Sequence, residues 1–190
     1  MTRGEINELL LPWIGRIQDE ELREQVIACW DKAIQRSGYR TLADLEKMPF
    51  TLLTDTRGLN FVEHTLAVTA GAVGLAQAQA AHYRAMPYEV DMDRLIAGGL
   101  LHDVGKILEI EPDGKGGHRK SRAGFCMRHP ISGAALAAEV GLPDEVLNCI
   151  ACHAKEGEGR PQVIETVLIH QADYATFDPL VMMVKGALIQ

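Results

Sequence analysis

A chain of 190 residues is long enough for one domain with a substantial core and short for two, and its 47% hydrophobic, 24% charged composition is that of a folded globular protein. A net charge of −7 disfavours a general nucleic-acid or anionic-membrane surface, since neutralising phosphates takes a basic stripe, and no apolar run reaches the roughly 18 residues of a membrane span. Cys29, Cys126, Cys149 and Cys152 are too sparse for a disulfide framework and the N-terminus shows no secretory pattern, so reduced thiols in the cytoplasm are expected.

Helical signals recur along the whole chain and sustained alternation is missing, so the fold reads as all-α. Leu22, Val26, Trp30, Ala33 and Ile34 form an apolar stripe at helical spacing, with Gly38 as its stop. Thr41 is placed to cap a short helix through Lys47, which Pro49 ends. Asn60 caps a long helix to about Tyr83, with His64, Val68, Gly71, Ala72 and Leu75 on one face. Asp91 or Asp93 caps the next, whose Leu95, Ile96, Leu100 and Leu101 lead into His102-Asp103; Gly98 and Gly99 within it point to close packing.

Residues 111 to 128 form a polar, glycine-rich interval that reads as a long loop. It carries Lys115, His118, Arg119, Lys120, Arg122 and Arg128, either a solvated charge run or a phosphate-facing one. A short helix follows Pro130 and stops at Gly141, and another starts with Pro143 at its first position. The stretch from Val163 to Tyr174 is apolar on nearly every side, as in a buried helix. Residues 1–55 are expected to be a helical extension covering the core of 56–190, or to supply a homodimer contact; Trp13 and Trp30 suit the core.

His64, His102, Asp103, His129, His153 and Asp173 each sit on or beside a helix, several on its apolar side. A single such histidine is ordinarily a hydrogen-bonded core residue. An adjacent His-Asp at the end of an apolar helix is different: followed by Val104-Gly105-Lys106, it offers two metal ligands, a chain-turning glycine and a cation.

His64, the run L-L-H-D-V-G-K at Leu100 to Lys106, R-H-P at Arg128 to Pro130, C-H at Cys152-His153 and A-D-Y at Ala172 to Tyr174 together resemble the HD superfamily of metal-dependent phosphohydrolases, over about 60–178. The resemblance implies that His64, His102, Asp103 and Asp173 hold one metal ion. It also implies that Asp103 bridges to a second, held by His129 and His153. Two divalent ions, from among Fe, Mn, Mg, Co and Ni, would then activate water for attack on a small phosphate ester, such as a nucleotide. Asp103 and Lys106 become the catalytic candidates, and Lys106, His118, Arg119, Lys120, Arg122 and Arg128 the phosphate contacts.

Two other classes share this ligand set: dinuclear-iron oxygenases, and HD modules that sense or bind without catalysis. C-x-x-C-H at Cys149 to His153 matches a haem-attachment pattern, but that would need export and would remove His153 from the set. Glu156 to Pro161 is similar to the D-G-x-G-Y-P stretch of HD-GYP phosphodiesterases, with Glu for Asp and Arg for Tyr, and a glycine-rich turn accounts for it. His170 is a candidate to support a ligand from behind, and His82 reads as a surface residue.

Overall fold

Side-chain caps start most of the helices, as the sequence signals require. The computed structural model describes residues 1–155 and 162–189, so the Glu156 to Pro161 motif lies outside the described residues. Helix α1 (Arg3–Leu9) and a 3-10 turn (Ile14–Arg16) lead into α2 (Glu20–Arg36), capped by Asp19, and α3 (Leu42–Leu45), capped by Thr41. Then come α4 (Phe61–His82), α5 (Met92–Leu101) and α6 (Lys106–Glu109). Asn60 and Glu63 form a reciprocal capping box on α4. Asp91, not Asp93, caps α5; the Asp93 carboxylate instead accepts the backbone N–H groups of Gln18 and Asp19 and ties the N-terminal segment to α5.

The interval expected as one long loop is structured. Strands β1 (Ile110–Pro112) and β2 (His118–Lys120) pair antiparallel, and α7 (Arg122–Cys126) follows under a Ser121 cap. Asp113 closes the hairpin by accepting from the Lys115 and Gly117 N–H groups, with Gly114 and Gly116 at φ of 74° and 92°. Strands of three residues are too short for alternation to be visible in sequence.

Helices α8 (His129–Glu139), α9 (Asp144–Cys152) and α10 (Ile164–Val184) complete the fold. Pro143 is the N-cap of α9 and not its first helical residue. The last helix runs ten residues beyond Tyr174 and buries one face only, through Leu168, Ile169, Ala172 and Leu180, with Val167 38% exposed. On α4 the inward face is His64, Thr65, Val68, Thr69 and Ala72, while Leu75 turns to solvent.

One continuous apolar cluster joins Ile6, Leu10 and Trp30 of the N-terminal segment to Leu100, Val104 and Ile150. The Trp30 indole N–H donates to the Leu100 carbonyl at 3.0 Å, and its ring packs 5.5 Å from that of Phe61. This fastens α2 to the end of α5, from which His102 and Asp103 project. Two glycines let α5 sink inward: a Cβ on Gly98 would stand 2.8 Å from Cys149, and one on Gly99 2.8 Å from Thr69. Among the described residues, no helix is long and apolar enough to cross a membrane.

Candidate metal centre

Helix α5 ends at Leu101, and the backbone tightens into a turn in which Val104 N–H donates to Leu101 O and Lys106 N–H to Asp103 O. That turn aims Asp103 into the core. Gly105, expected to turn the chain, has an ordinary helical φ of −64°. Its requirement is space: a Cβ would run into the His129 carbonyl and lie 2.7 Å from Gly133 N. The close approach brings the start of α8, with His129, against the His-Asp pair.

The four imidazoles face Asp103 in two sets. His64 and His102 present Nε2 3.4 Å from Oδ2, whereas His129 and His153 present Nε2 at 3.3 and 3.5 Å from Oδ1. His102 and His153 donate Nδ1–H to the Gly99 and Ile150 carbonyls at 2.7 and 2.9 Å, which can only accept. Their Nε2 atoms therefore carry lone pairs, as metal ligands must. Asp103 Oδ1 and the Nε2 atoms of His102 and His153 are buried without a hydrogen-bond partner. Leaving polar atoms so is costly unless something else satisfies them, and a cation fits this donor set.

His64, His102 and Asp103 form one group able to hold a metal ion, and Asp103, His129 and His153 a second. Asp173, on α10, lies apart from both groups but places Oδ1 3.1 Å from His64 Nε2 in the same cleft. Burial works against ionising Asp103, yet the Lys106 ammonium beside it prevails and holds its carboxyl well below the usual range.

The family model for the HD domain matches residues 61–178. The chain belongs to the HD-domain family. At 32% identity it is similar to the dihydroneopterin 2',3'-cyclic phosphate phosphodiesterase of Methanocaldococcus jannaschii, over 88% of this chain and 68% of that protein. It is also similar to ribonuclease Y of Pseudothermotoga lettingae and of Thermotoga maritima, at 34% and 31% identity. Those alignments take in 61% of this chain but only 18% of each ribonuclease. No solved structure gives a significant match. This HD-domain protein is a metal-dependent phosphohydrolase.

Of the six residues proposed from sequence to meet phosphate, Lys106, Lys120 and Arg128 line the cleft over the centre, a space of about 220 Å³. Lys106 reaches Asp103 Oδ2 at 2.6 Å. The other three lie elsewhere. Arg119 points to the opposite side of β2 and pairs with Glu111 at 2.9 Å, His118 stacks 6.2 Å from Tyr39, and Arg122 is exposed on α7. Alternation along a strand divides neighbouring cations in this way, and a loop reading could not anticipate it.

Glu109 was missed by sequence reasoning. Its Oε2 accepts the His129 backbone N–H at 2.7 Å and faces His129 Nδ1 at 3.2 Å, while Oε1 lies 3.0 Å from Arg128 Nε and 3.7 Å from Lys120 Nζ. Burial raises its pKa, but His129 and Arg128 outweigh this and bring it down to about 2. A lone acid three residues after Lys106 gives no pattern to find. Phe50 was also missed; it stacks on His64 with ring centroids 4.3 Å apart. His170 donates from Nδ1 to the His153 carbonyl, bracing the backbone of that histidine, and His82 is exposed at the end of α4.

Proposed function

We propose that this HD-domain protein is a phosphodiesterase acting on a small phosphodiester, with a cyclic phosphate the leading candidate, at a dinuclear centre in the cytoplasm. The observation that carries the reading is the division of the Asp103 carboxylate, one oxygen toward His64 and His102 and the other toward His129 and His153. A carboxylate so shared suits a bridge between two cations, with Asp173 completing the first set. Divalent cations bound there supply charge for a phosphate and acidify water into a nucleophile.

The chain's own groups do the rest. Hydrogen bonds from Nδ1 hold His102 and His153 in one tautomer, so neither has to reorganise when a ligand arrives. Lys106, beside Asp103 and facing the cleft, is placed to meet a phosphate oxygen, and Lys120 and Arg128 to take its other oxygens. A small substrate is favoured over RNA because the likeness to the archaeal cyclic phosphate phosphodiesterase spans 88% of this chain and 68% of that protein, whereas that to ribonuclease Y spans 61% and 18%. The name of the archaeal relative supports a cyclic phosphate.

Metal analysis of protein purified with and without oxygen, followed by a screen of phosphomonoesters, linear phosphodiesters and cyclic phosphates, tests the reading. Two cations per chain and opening of cyclic phosphates are expected, with both lost in Asp103→Ala. Iron accompanied by oxygen uptake and no ester cleavage would replace it with the oxygenase reading.

A further inference from the structure

Residues 50–59 form a loop that precedes the residues matched by the HD-domain model. Its base is clamped: Phe61 N–H donates to Met48 O at 2.8 Å, and Pro49 bridges to Asn60. Loops with joined ends hold their shape and are frequently functional. Inside this one, the Thr51 hydroxyl accepts the Leu53 N–H at 3.1 Å, a turn that places Leu52 and Leu53 at the cleft. They remain 43% and 75% exposed. One exposed leucine is ordinary, but two adjacent ones lining the same cleft as Phe177, Asp103, Lys120 and Arg128 make an amphiphilic space. An inorganic phosphate would use its cationic side only.

We propose that Leu52 and Leu53, with Phe177, form a wall that binds the planar heteroaromatic ring of the substrate while its phosphate lies toward Lys106, Lys120 and Arg128. The substrate class is thus a nucleotide-like phosphodiester and not a sugar or polyol phosphate. This rests on the phosphodiesterase reading for the position of the phosphate. Leu52 and Leu53 precede the HD match and Phe177 lies within it, so the ring selectivity draws on a segment that the HD domain itself does not supply.

The test compares wild type with Leu52→Ser/Leu53→Ser, both metal-loaded. Calorimetry follows the binding of adenosine 2'-monophosphate, guanosine 2'-monophosphate and inorganic phosphate; kinetics follow adenosine 2',3'-cyclic phosphate against ring-free glycerol 1,2-cyclic phosphate. Wild type should bind the nucleotides more tightly than phosphate. The variant should lose about tenfold in nucleotide affinity, with KM for the adenosine substrate raised about tenfold and phosphate binding and the glycerol substrate unchanged. Equal losses for ring-bearing and ring-free ligands, or nucleotide binding no tighter than phosphate in wild type, would overturn the wall. Nucleotide binding that depends on the leucines without cleavage of any diester would keep the wall and remove the phosphodiesterase reading. Leu53→Ala, at the more exposed position, should shift the same quantities less and serves if the double variant fails to fold.

Discussion

At the level of single side chains, Glu109 connects the His129 imidazole to the cations at the mouth of the cleft. A carboxylate behind a ligating histidine orients the ring and raises its basicity, and losing one commonly weakens metal binding by roughly 10- to 100-fold. Glu109→Ala should fall in that range, measured as metal retained against a competing chelator. Glu109→Gln, which keeps an acceptor for His129, should lose less; wild-type affinity in the alanine variant would remove the positioning role. The thiols divide by environment. Burial pushes Cys29 and Cys149 up to about 12, while Cys126 is exposed and Cys152 half-buried. With an aromatic disulfide reagent at mildly alkaline pH, Cys126 should react first and Cys152 more slowly, with Cys29 and Cys149 reacting only after unfolding.

At the level of elements, the depth to which α5 sinks depends on two positions without side chains. A methyl group at Gly98 would meet Cys149 Cβ and Sγ and Ile169 Cδ1, each at 2.8 Å, so Gly98→Ala should cost about 1–3 kcal/mol through overpacking despite its better helix propensity. Gly74 is the control. It sits on the exposed side of α4 with nothing within 4 Å of a built Cβ, so Gly74→Ala should stabilise by about 0.5–1 kcal/mol. Urea midpoints of the two variants should move in opposite directions; a shared direction would mean that neighbours of α5 yield more readily than the geometry indicates.

For the whole molecule, the ties between the N-terminal segment and the HD domain decide whether the cleft is built. One tie is ionic: Glu139 on α8 meets Arg36 and Lys32 of α2 at 2.6 and 2.9 Å. The Arg36 hydrogen bond, with that of Lys32, lowers the Glu139 pKa from 4.5 to about 2. A carboxylate depressed by folding stabilises above its unfolded pKa and loses that contribution as pH falls through the folded value. Glu139→Gln should therefore melt below wild type near neutral pH, and the gap should close between pH 4.5 and about 2. The groups are exposed, so the gap should be small and should shrink with salt. A gap that widens on acidification would contradict the assignment.

Much of this was written locally. Thr41, Asn60 and the pair Asp91 and Asp93 announced helix starts because a cap is satisfied by residues within one turn, although only the structure chose Asp91, and His102-Asp103 stood out because the pair is adjacent in the chain. The metal-ligating residue types and the all-α class needed nothing more. The rest depended on contacts distant in sequence. The hairpin of β1 and β2 sent Arg119 away from the cleft and Lys120 toward it, and the 105–129 approach explained Gly105 as a spacing residue. Likewise, Glu109 became significant only when α8 brought His129 beside it, and Leu52 and Leu53 only when their loop set them at the cleft. Periodicity and capping report which face of an element is buried; they carry no information about which distant group it will meet. For this protein, the sequence by itself determined the residue types able to hold a metal and the helices that bear them, and only the tertiary structure decided how those side chains divide around Asp103 and what walls the space above them.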